Sequence, residues 1–249
     1  MTAPSTGRTV HVEHCMGTAF TIDIREPGEW SQPIGEVVRW LHAVDSTFST
    51  YRPDSDISRV RRGEVGVDDV HPMVGEVLDR CARVQQDTGG FFSSLIDGQV
   101  DPTGLVKGWS IERASTILRD AGAHNHAVNG GGDMQLSGEA EPGRPWSVGI
   151  TDPRDHSQVL RVVERSDCAV ATSGISERGR HIVDPFSARP VDNGLASATV
   201  TGPWLTEVDA YATAAFVMGL PALGWLESLA GYEALLITED GATRTTSGW

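Results

Sequence analysis

The chain has 249 residues, of which 39% are hydrophobic and 22% charged, so its composition supports a sizeable core and excludes wholesale disorder. Its formal net charge of −14 disfavours nucleic acid and anionic membranes as partners, because an acidic surface repels their phosphates. No apolar run reaches the length of a membrane span, and the first residues lack the apolar core of a secretion signal. The three cysteines are far apart and form no CxxC pair, which favours a reduced, cytoplasmic protein.

Apolar residues recur with the periods of strands and helices along the whole chain. Helical periodicity predicts helices at residues 33–46, 72–86, 104–121 and 207–219. Alternation and turn residues predict strands at 9–14, 18–25, 125–129, 134–137, 146–150, 158–163, 168–172, 180–183, 196–201, 233–237 and 243–246. Because strands and helices do not alternate regularly, we expect an α+β fold with mostly antiparallel or mixed sheets flanked by helices. We expect a single domain over residues 1–249, with residues 1–10 flexible.

A carboxylate and a hydroxyl lie four residues apart in the last long predicted helix. Asp209 and Thr213 therefore project from one face, where their oxygens could bind Mg²⁺, a hard cation that prefers oxygen ligands. Alternatively, Asp209 could interact with the helix dipole while Thr213 bonds back to a carbonyl group. The pair alone leaves both interpretations open.

Lys107 is the only lysine among 20 basic residues, and it lies in the segment that opens a predicted helix. Free backbone amides at such a helix start favour an anionic ligand, and a cation there opposes the helix dipole unless an anion binds nearby. Asp101, in the preceding turn, could accept a hydrogen bond from the amide edge of a heterocycle. The alternative is a capping aspartate followed by a lysine in solvent.

Two other segments carry polar residues in patterns that allow chemistry. The glycines of NGGGD (129–133) could cradle a phosphate or form a hairpin turn, and they match neither a dinucleotide fingerprint nor a P-loop. Ser173, His181 and Asp184 superficially resemble a hydrolase triad but lack the GxSxG context, whereas a histidine near a carboxylate can act as a general base.

The remaining histidines do not form a recognisable metal site. His11, His14 and Cys15 lie close together, as do His124 and His126, but neither group has a second ligand cluster with matching spacing. Their alternating positions favour exposed faces of strands.

Nine short segments follow one another in a fixed order along the chain. They are MGTAF (16–20), STFSTYRPDSDIS (46–58), GGFF (89–92), DPTGLVKGW (101–109), NGGGD (129–133), PWSVGITDP (145–153), ATSG (171–174), RHIVDP (180–185) and DAYATAAFVMG (209–219). In this order, and over residues 11–247, they resemble the ApbE family of FAD:protein FMN transferases.

The resemblance implies a Mg²⁺-dependent enzyme that binds FAD as its substrate. Such an enzyme splits the pyrophosphate, passes FMN to a threonine or serine hydroxyl of a partner flavoprotein, and releases AMP. The alternatives are a Mg²⁺-dependent FAD pyrophosphatase, which gives FMN and AMP with water as the nucleophile, and a non-catalytic FAD-binding protein.

The resemblance also assigns roles to residues of this chain. It implies metal ligation by Asp209, Thr213 and the backbone carbonyl of Gly104, with Asp209 and the general base His181 as the catalytic residues. The residues implied in binding FAD are Met16, Tyr51, Phe91, Phe92, Ser93, Asp101, Lys107, Thr172, Ser173, His181, Ile182 and Val183.

Three features depart from the family pattern. Ser93 stands where many relatives carry aspartate, Ala188 stands where glycine is usual, and the segment before Asp101 is short, which indicates a compact branch. Many relatives are exported lipoproteins, whereas no export signal is recognised here, so we expect a cytoplasmic enzyme. These departures concern substrate preference more than FAD binding.

Overall fold

The computed structural model describes residues 7–96, 98–175 and 182–249. The helices are α1 Ser31–Phe48, α2 Asp56–Arg61, α3 Met73–Asp87, α4 Thr103–Asp120, α5 Leu205–Met218 and α6 Ala222–Glu227, with a 3₁₀ turn at Val67–Asp69. The strands are β1 Thr9–Cys15, β2 Thr18–Ile24, β3 Leu95–Ile96, β4 Gln99–Val100, β5 His126–Gly130, β6 Asp133–Ser137, β7 Trp146–Asp152, β8 Asp155–Arg165, β9 Ala169–Gly174, β10 Val183–Asp184, β11 Arg189–Pro190, β12 Leu195–Gly202, β13 Glu233–Thr238 and β14 Thr243–Thr245.

Eight strands form one sheet in the order β1-β2-β5-β6-β9-β12-β13-β14. Every neighbouring pair in this sheet is antiparallel. Three further strand pairs, β3–β4, β7–β8 and β10–β11, form separate two-stranded sheets. The predicted α+β fold is thus confirmed, with antiparallel rather than mixed pairing throughout the main sheet. Strand β1 begins at Thr9, inside the segment that we expected to be flexible.

The main sheet is covered on both faces, which explains why its central strands have few exposed residues. On β13, Ala234 and Leu236 pack into the larger cluster with the helices, whereas Leu235 and Ile237 pack into a second cluster. That second cluster is completed by alternate residues of β7, including Trp146 and Val148. None of the helices in the described ranges is long and apolar enough to cross a membrane.

Helices α4 and α5 pack side by side, and they carry Lys107 and the three predicted metal ligands, Gly104, Asp209 and Thr213. Their close approach depends on small side chains, since α5 contributes alanines to the core and α4 presents Gly108. A Cβ atom at Gly108 would lie 2.5 Å from the carbonyl oxygen of Leu205, which no real contact of this kind permits. The backbone of α4 therefore lies directly against the first turn of α5.

Candidate active site

A buried ion-pair network forms where α4, α5 and β6 meet. The ammonium group of Lys107 lies against the Oδ2 atom of Asp133 and 3.5 Å from the Oδ2 atom of Asp209. Asp133 and Asp209 are only 2% and 6% exposed, whereas one third of the Lys107 side chain is exposed. Two carboxylates and one ammonium leave one negative charge, which favours an additional cation at this place.

A tight hairpin places Asp133 in the network. Strands β5 and β6 are joined by Gly131 and Gly132, whose φ angles of 62° and 95° lie in the left-handed region that favours glycine. The hairpin-turn interpretation of this glycine-rich segment is therefore correct. Asp133 is the first residue after the turn, and its Oδ1 atom accepts a hydrogen bond of 3.0 Å from the backbone N–H of Thr172.

Asp209 is held by the backbone of the neighbouring helix. The N–H of Gly108 donates a hydrogen bond of 3.0 Å to its Oδ2 atom. In a regular helix the N–H of Gly108 bonds to the carbonyl of Gly104. Asp209 therefore competes with the Gly104 carbonyl for this N–H. Burial raises the pKa of the Asp209 carboxyl, and the Lys107 ammonium and the Gly108 N–H oppose that rise.

Thr213 lies one turn after Asp209 and contacts strand β9. Its Oγ1 atom is 3.0 Å from the Oγ atom of Ser173, so the two hydroxyls share a hydrogen bond. The predicted alternative, in which Thr213 bonds back to a carbonyl of its own helix, is not what this geometry shows. Next to Ser173, the hydroxyl of Thr172 is 2.8 Å from that of Thr199.

The oxygen atoms gathered here fit a hard divalent cation. Asp209 and Thr213 supply a carboxylate and a hydroxyl from one face of α5, and Gly104 lies one turn before Gly108 on the facing helix. Mg²⁺ prefers such oxygen donors and leaves coordination positions to water or phosphate. Within the described ranges, no group of three or more His, Cys, Asp or Glu side chains has a metal-binding arrangement.

The phenylalanine segment lies beside the start of α4. Phe92 is buried, and its N–H donates to the hydroxyl of Thr88 at 3.1 Å. The ring of Phe92 lies next to Gly104, where a Cβ atom would be 3.3 Å away. Phe91 makes an edge-to-face contact with Phe186, with ring centroids 5.0 Å apart.

Two polar residues assigned to FAD binding have local hydrogen-bond partners in this structure. The hydroxyl of Ser93 donates to the carbonyl of Leu95 and accepts from its N–H. The Oδ1 atom of Asp101 accepts hydrogen bonds from the N–H and hydroxyl of Thr103, as the capping interpretation predicts. Its Oδ2 atom lies 3.5 Å from the guanidinium of Arg61, a partner that the sequence analysis did not identify.

The other residues assigned to FAD lie in loops and short strands. Met16 occupies the turn between β1 and β2 with φ of 50°, and Tyr51 is 93% exposed. Ile182 accepts a hydrogen bond from the N–H of Val191, and Val183 pairs with β11. His181, the expected base, lies outside the described residues. Among those residues, no hydrogen bond or ion pair joins Met16 or Tyr51 to Lys107.

Asp133 was not predicted to lie in the ion-pair network, and the prediction for His126 was wrong. A carboxylate directly after a glycine turn was the only available signal for Asp133. His126, expected on an exposed strand face, is fully buried, with its Nε2 atom 2.7 Å from the hydroxyl of Ser115 and its Nδ1 atom 2.8 Å from the carbonyl of Ala123. Burial lowers the pKa of His126 to about 4, so the ring is neutral and structural.

Comparisons with known proteins identify the family of the chain. The sequence profile of the ApbE family matches residues 16–97 and 93–236. The chain is 34% identical to a FAD:protein FMN transferase of Vibrio cholerae over 266 aligned positions, which cover 82% of this chain and 79% of that protein. It is 25% identical to a protein of the same name from Salmonella typhimurium, but this match spans 67% of this chain and only about half, 49%, of that relative.

Two solved structures share the fold. The flavin transferase ApbE from Vibrio cholerae superposes with a TM-score of 0.84 over 96% of this chain and 97% of that chain, at 23% identity. The ApbE protein of Thermotoga maritima gives a TM-score of 0.85 over 97% of each chain, at 20% identity. With the profile matched along most of its length, the chain belongs to the ApbE family.

Proposed function

We propose that this protein is an FAD:protein FMN transferase. It transfers FMN from FAD to a threonine or serine hydroxyl of a partner flavoprotein and releases AMP, and it requires Mg²⁺. The observation that carries the proposal is the buried network of Asp133, Lys107 and Asp209 beside Thr213, in a chain whose relatives bear the name of this activity.

The metal assignment rests on the oxygen donors described above. Asp209, Thr213 and the carbonyl of Gly104 would hold Mg²⁺, and the remaining negative charge of the network supports a cation there. Bound at this place, Mg²⁺ would neutralise phosphate charge and act as a Lewis acid on the pyrophosphate.

The side chains of the chain itself would bind and orient the reacting groups. An acidic protein must hold a pyrophosphate through local positive charge, and Lys107, whose side chain is one third exposed, would supply a charged donor for a phosphate oxygen. In the transfer, the acceptor hydroxyl oxygen bonds to the FMN phosphorus while the bond to the AMP phosphoryl oxygen breaks, and AMP leaves with that electron pair. We assign His181 as the base that takes the hydroxyl proton.

The state of the cysteines supports a location in a reducing compartment. Cys15, Cys81 and Cys168 are all buried and free, as expected for a protein of a reducing compartment. We therefore propose that transfer takes place in the cytoplasm, by a single catalytic unit. Burial raises the pKa of the Cys15 thiol to about 11 and that of Cys81 to about 12, so neither thiol is a nucleophile at neutral pH.

The direct test is incubation with FAD, Mg²⁺ and an acceptor domain that has a single target threonine. Transfer predicts a fluorescent acceptor band after denaturing electrophoresis, a mass increase equal to one FMN, and an equal amount of AMP. An acceptor with alanine at the target and a reaction with EDTA are the controls. Release of free FMN and AMP without an acceptor would instead indicate a pyrophosphatase, and intact FAD after long incubation would indicate a binding protein.

A further inference from the structure

In the function proposed above, Asp133 contributes only its charge to the network, although it is one of the most buried charged groups near the site. Its Oδ2 atom lies against the Lys107 ammonium and accepts no hydrogen bond from the other described residues. Its Oδ1 atom is occupied by the N–H of Thr172 at 3.0 Å. The carboxylate therefore joins α4 to β9 and is almost completely buried.

The geometry divides the charge of Lys107 unequally between its two carboxylates. Asp133 is in direct contact with the ammonium, whereas Asp209 lies 3.5 Å from it. A buried carboxylate without a partner is strongly unfavourable, so Asp133 depends on this contact. Because Asp133 is the closer counter-ion, Asp209 retains negative charge that a divalent cation can use.

We propose that Asp133 is a positioning residue for Lys107. It holds the ammonium on the β6 side of the site, keeps it from pairing fully with Asp209, and connects it to the backbone of Thr172. The inference rests on the proposed function only in that Lys107 and Asp209 act in FMN transfer. Without Asp133, Lys107 moves toward Asp209 and competes with the cation for that carboxylate.

The single lysine makes the first arm of the test selective. Acylation with acetic anhydride at fixed pH, followed by peptide mass spectrometry, reports the reactivity of Lys107 and separates it from the N-terminal amine. In Asp133→Asn the rate at Lys107 should rise about tenfold, because the amine is no longer held in direct contact with a buried carboxylate. Asp152→Asn removes a similarly buried acid, paired with Arg154 on the distant β7–β8 ribbon, and should leave the rate unchanged. An unchanged rate in Asp133→Asn overturns the proposal.

The second arm measures Mn²⁺ binding to the flavin-free protein. Asp133→Asn should weaken binding about tenfold, as expected when one nearby charge interaction is lost. In the Lys107→Met background the same change should have much less effect, because Asp133 acts through the lysine. Equal weakening in both backgrounds would show that Asp133 acts on the metal directly or through the fold, and would overturn the proposal.

A third measurement keeps the test decisive if Asp133→Asn alone does not fold. Lys107→Met leaves Asp133 buried without its counter-ion, so adding Asp133→Asn should raise the melting temperature above that of Lys107→Met. A double variant no more stable than Lys107→Met overturns the proposal. None of these measurements uses a flavin, so their failure is distinguishable from a failure of FMN transfer.

Discussion

Replacing Gly108 with alanine tests whether the close approach of α4 to α5 sets the position of Asp209. An added Cβ atom would lie 2.5 Å from the Leu205 carbonyl oxygen and 2.8 Å from the Cβ atom of Asp209. Both distances are well inside van der Waals contact. Because the nearest atom belongs to the backbone, no side-chain rotation can relieve the overlap, and the two helices must separate.

The expected magnitude follows from two opposing effects. Alanine in place of glycine inside a helix stabilises a protein by about 0.5–1 kcal/mol. Overpacking of a closely packed site destabilises it by about 1–3 kcal/mol. We therefore expect Gly108→Ala to lower the free energy of unfolding by about 1 kcal/mol, and at most by about 2.5 kcal/mol, and the melting temperature by roughly 2–10 °C. Because Asp209 moves with α5, a displacement of about 1 Å should also lower the transfer rate about 100-fold.

Two other helical glycines provide matched controls, measured by thermal unfolding and by FMN transfer to the acceptor domain. Gly224 has no atom within 4 Å of an added Cβ, so Gly224→Ala should raise the melting temperature. Gly104→Ala places its Cβ 3.3 Å from the ring of Phe92, a contact that a shift of a few tenths of an ångström relieves, and should have a small effect on stability. If Gly108→Ala is as stable and active as Gly224→Ala, the contact between α4 and α5 does not constrain Asp209.

Four further outcomes are expected. Asp209→Ala should abolish FMN transfer while the circular dichroism spectrum stays native, and unchanged transfer would exclude the metal assignment. His181→Ala should slow transfer but keep FAD affinity, measured by fluorescence titration; wild-type rates would mean that another group accepts the proton. Ala188→Gly should raise the free energy of unfolding by about 1 kcal/mol, because Ala188 has a φ of 53° that glycine adopts without strain. Urea denaturation measures this free energy, and an unchanged value would contradict the prediction. Between pH 6.5 and about 4 the protein should lose about 3 kcal/mol of stability, because unfolded His126 binds a proton that the buried ring, with its pKa lowered to about 4, does not. If His126→Gln loses the same amount of stability over this pH range, protonation of His126 is not the cause.

The longer helices and strands were predictable because each is long enough for its apolar residues to repeat several times with the period of a helix or of a strand. The helix predicted at 104–121 is observed at Thr103–Asp120, and the strand predicted at 196–201 is observed at Leu195–Gly202. The two-residue strands β3, β4 and β11 were not predicted, because two residues cannot show a period. The order of the sheet was equally inaccessible, since β2 pairs with β5 across a long intervening segment.

His126 and Ala188 show what a pattern of residues leaves out. His126 begins β5 and alternates with Val128 on the inner face, but histidine alone suggests a polar surface; only the Ser115 hydroxyl on α4 explains its burial. At position 188 the resemblance implied glycine where this chain has alanine, and the backbone there has a φ angle of 53°, in the region that favours glycine. In both cases the missing information was a tertiary contact or a backbone angle.

The single lysine was the most informative residue of the site, and its chemistry explains why arginine does not replace it. Nineteen of the 20 basic residues are arginine, and several of these pair side by side with one carboxylate, as Arg154 does with Asp152. A planar guanidinium favours such two-point pairing with one partner. A compact ammonium can instead face two carboxylates on different elements, as Lys107 faces Asp133 and Asp209. An arginine at position 107 that paired in this two-point way with Asp209 would occupy the carboxylate that the cation needs, so we expect Lys107→Arg to weaken cation binding.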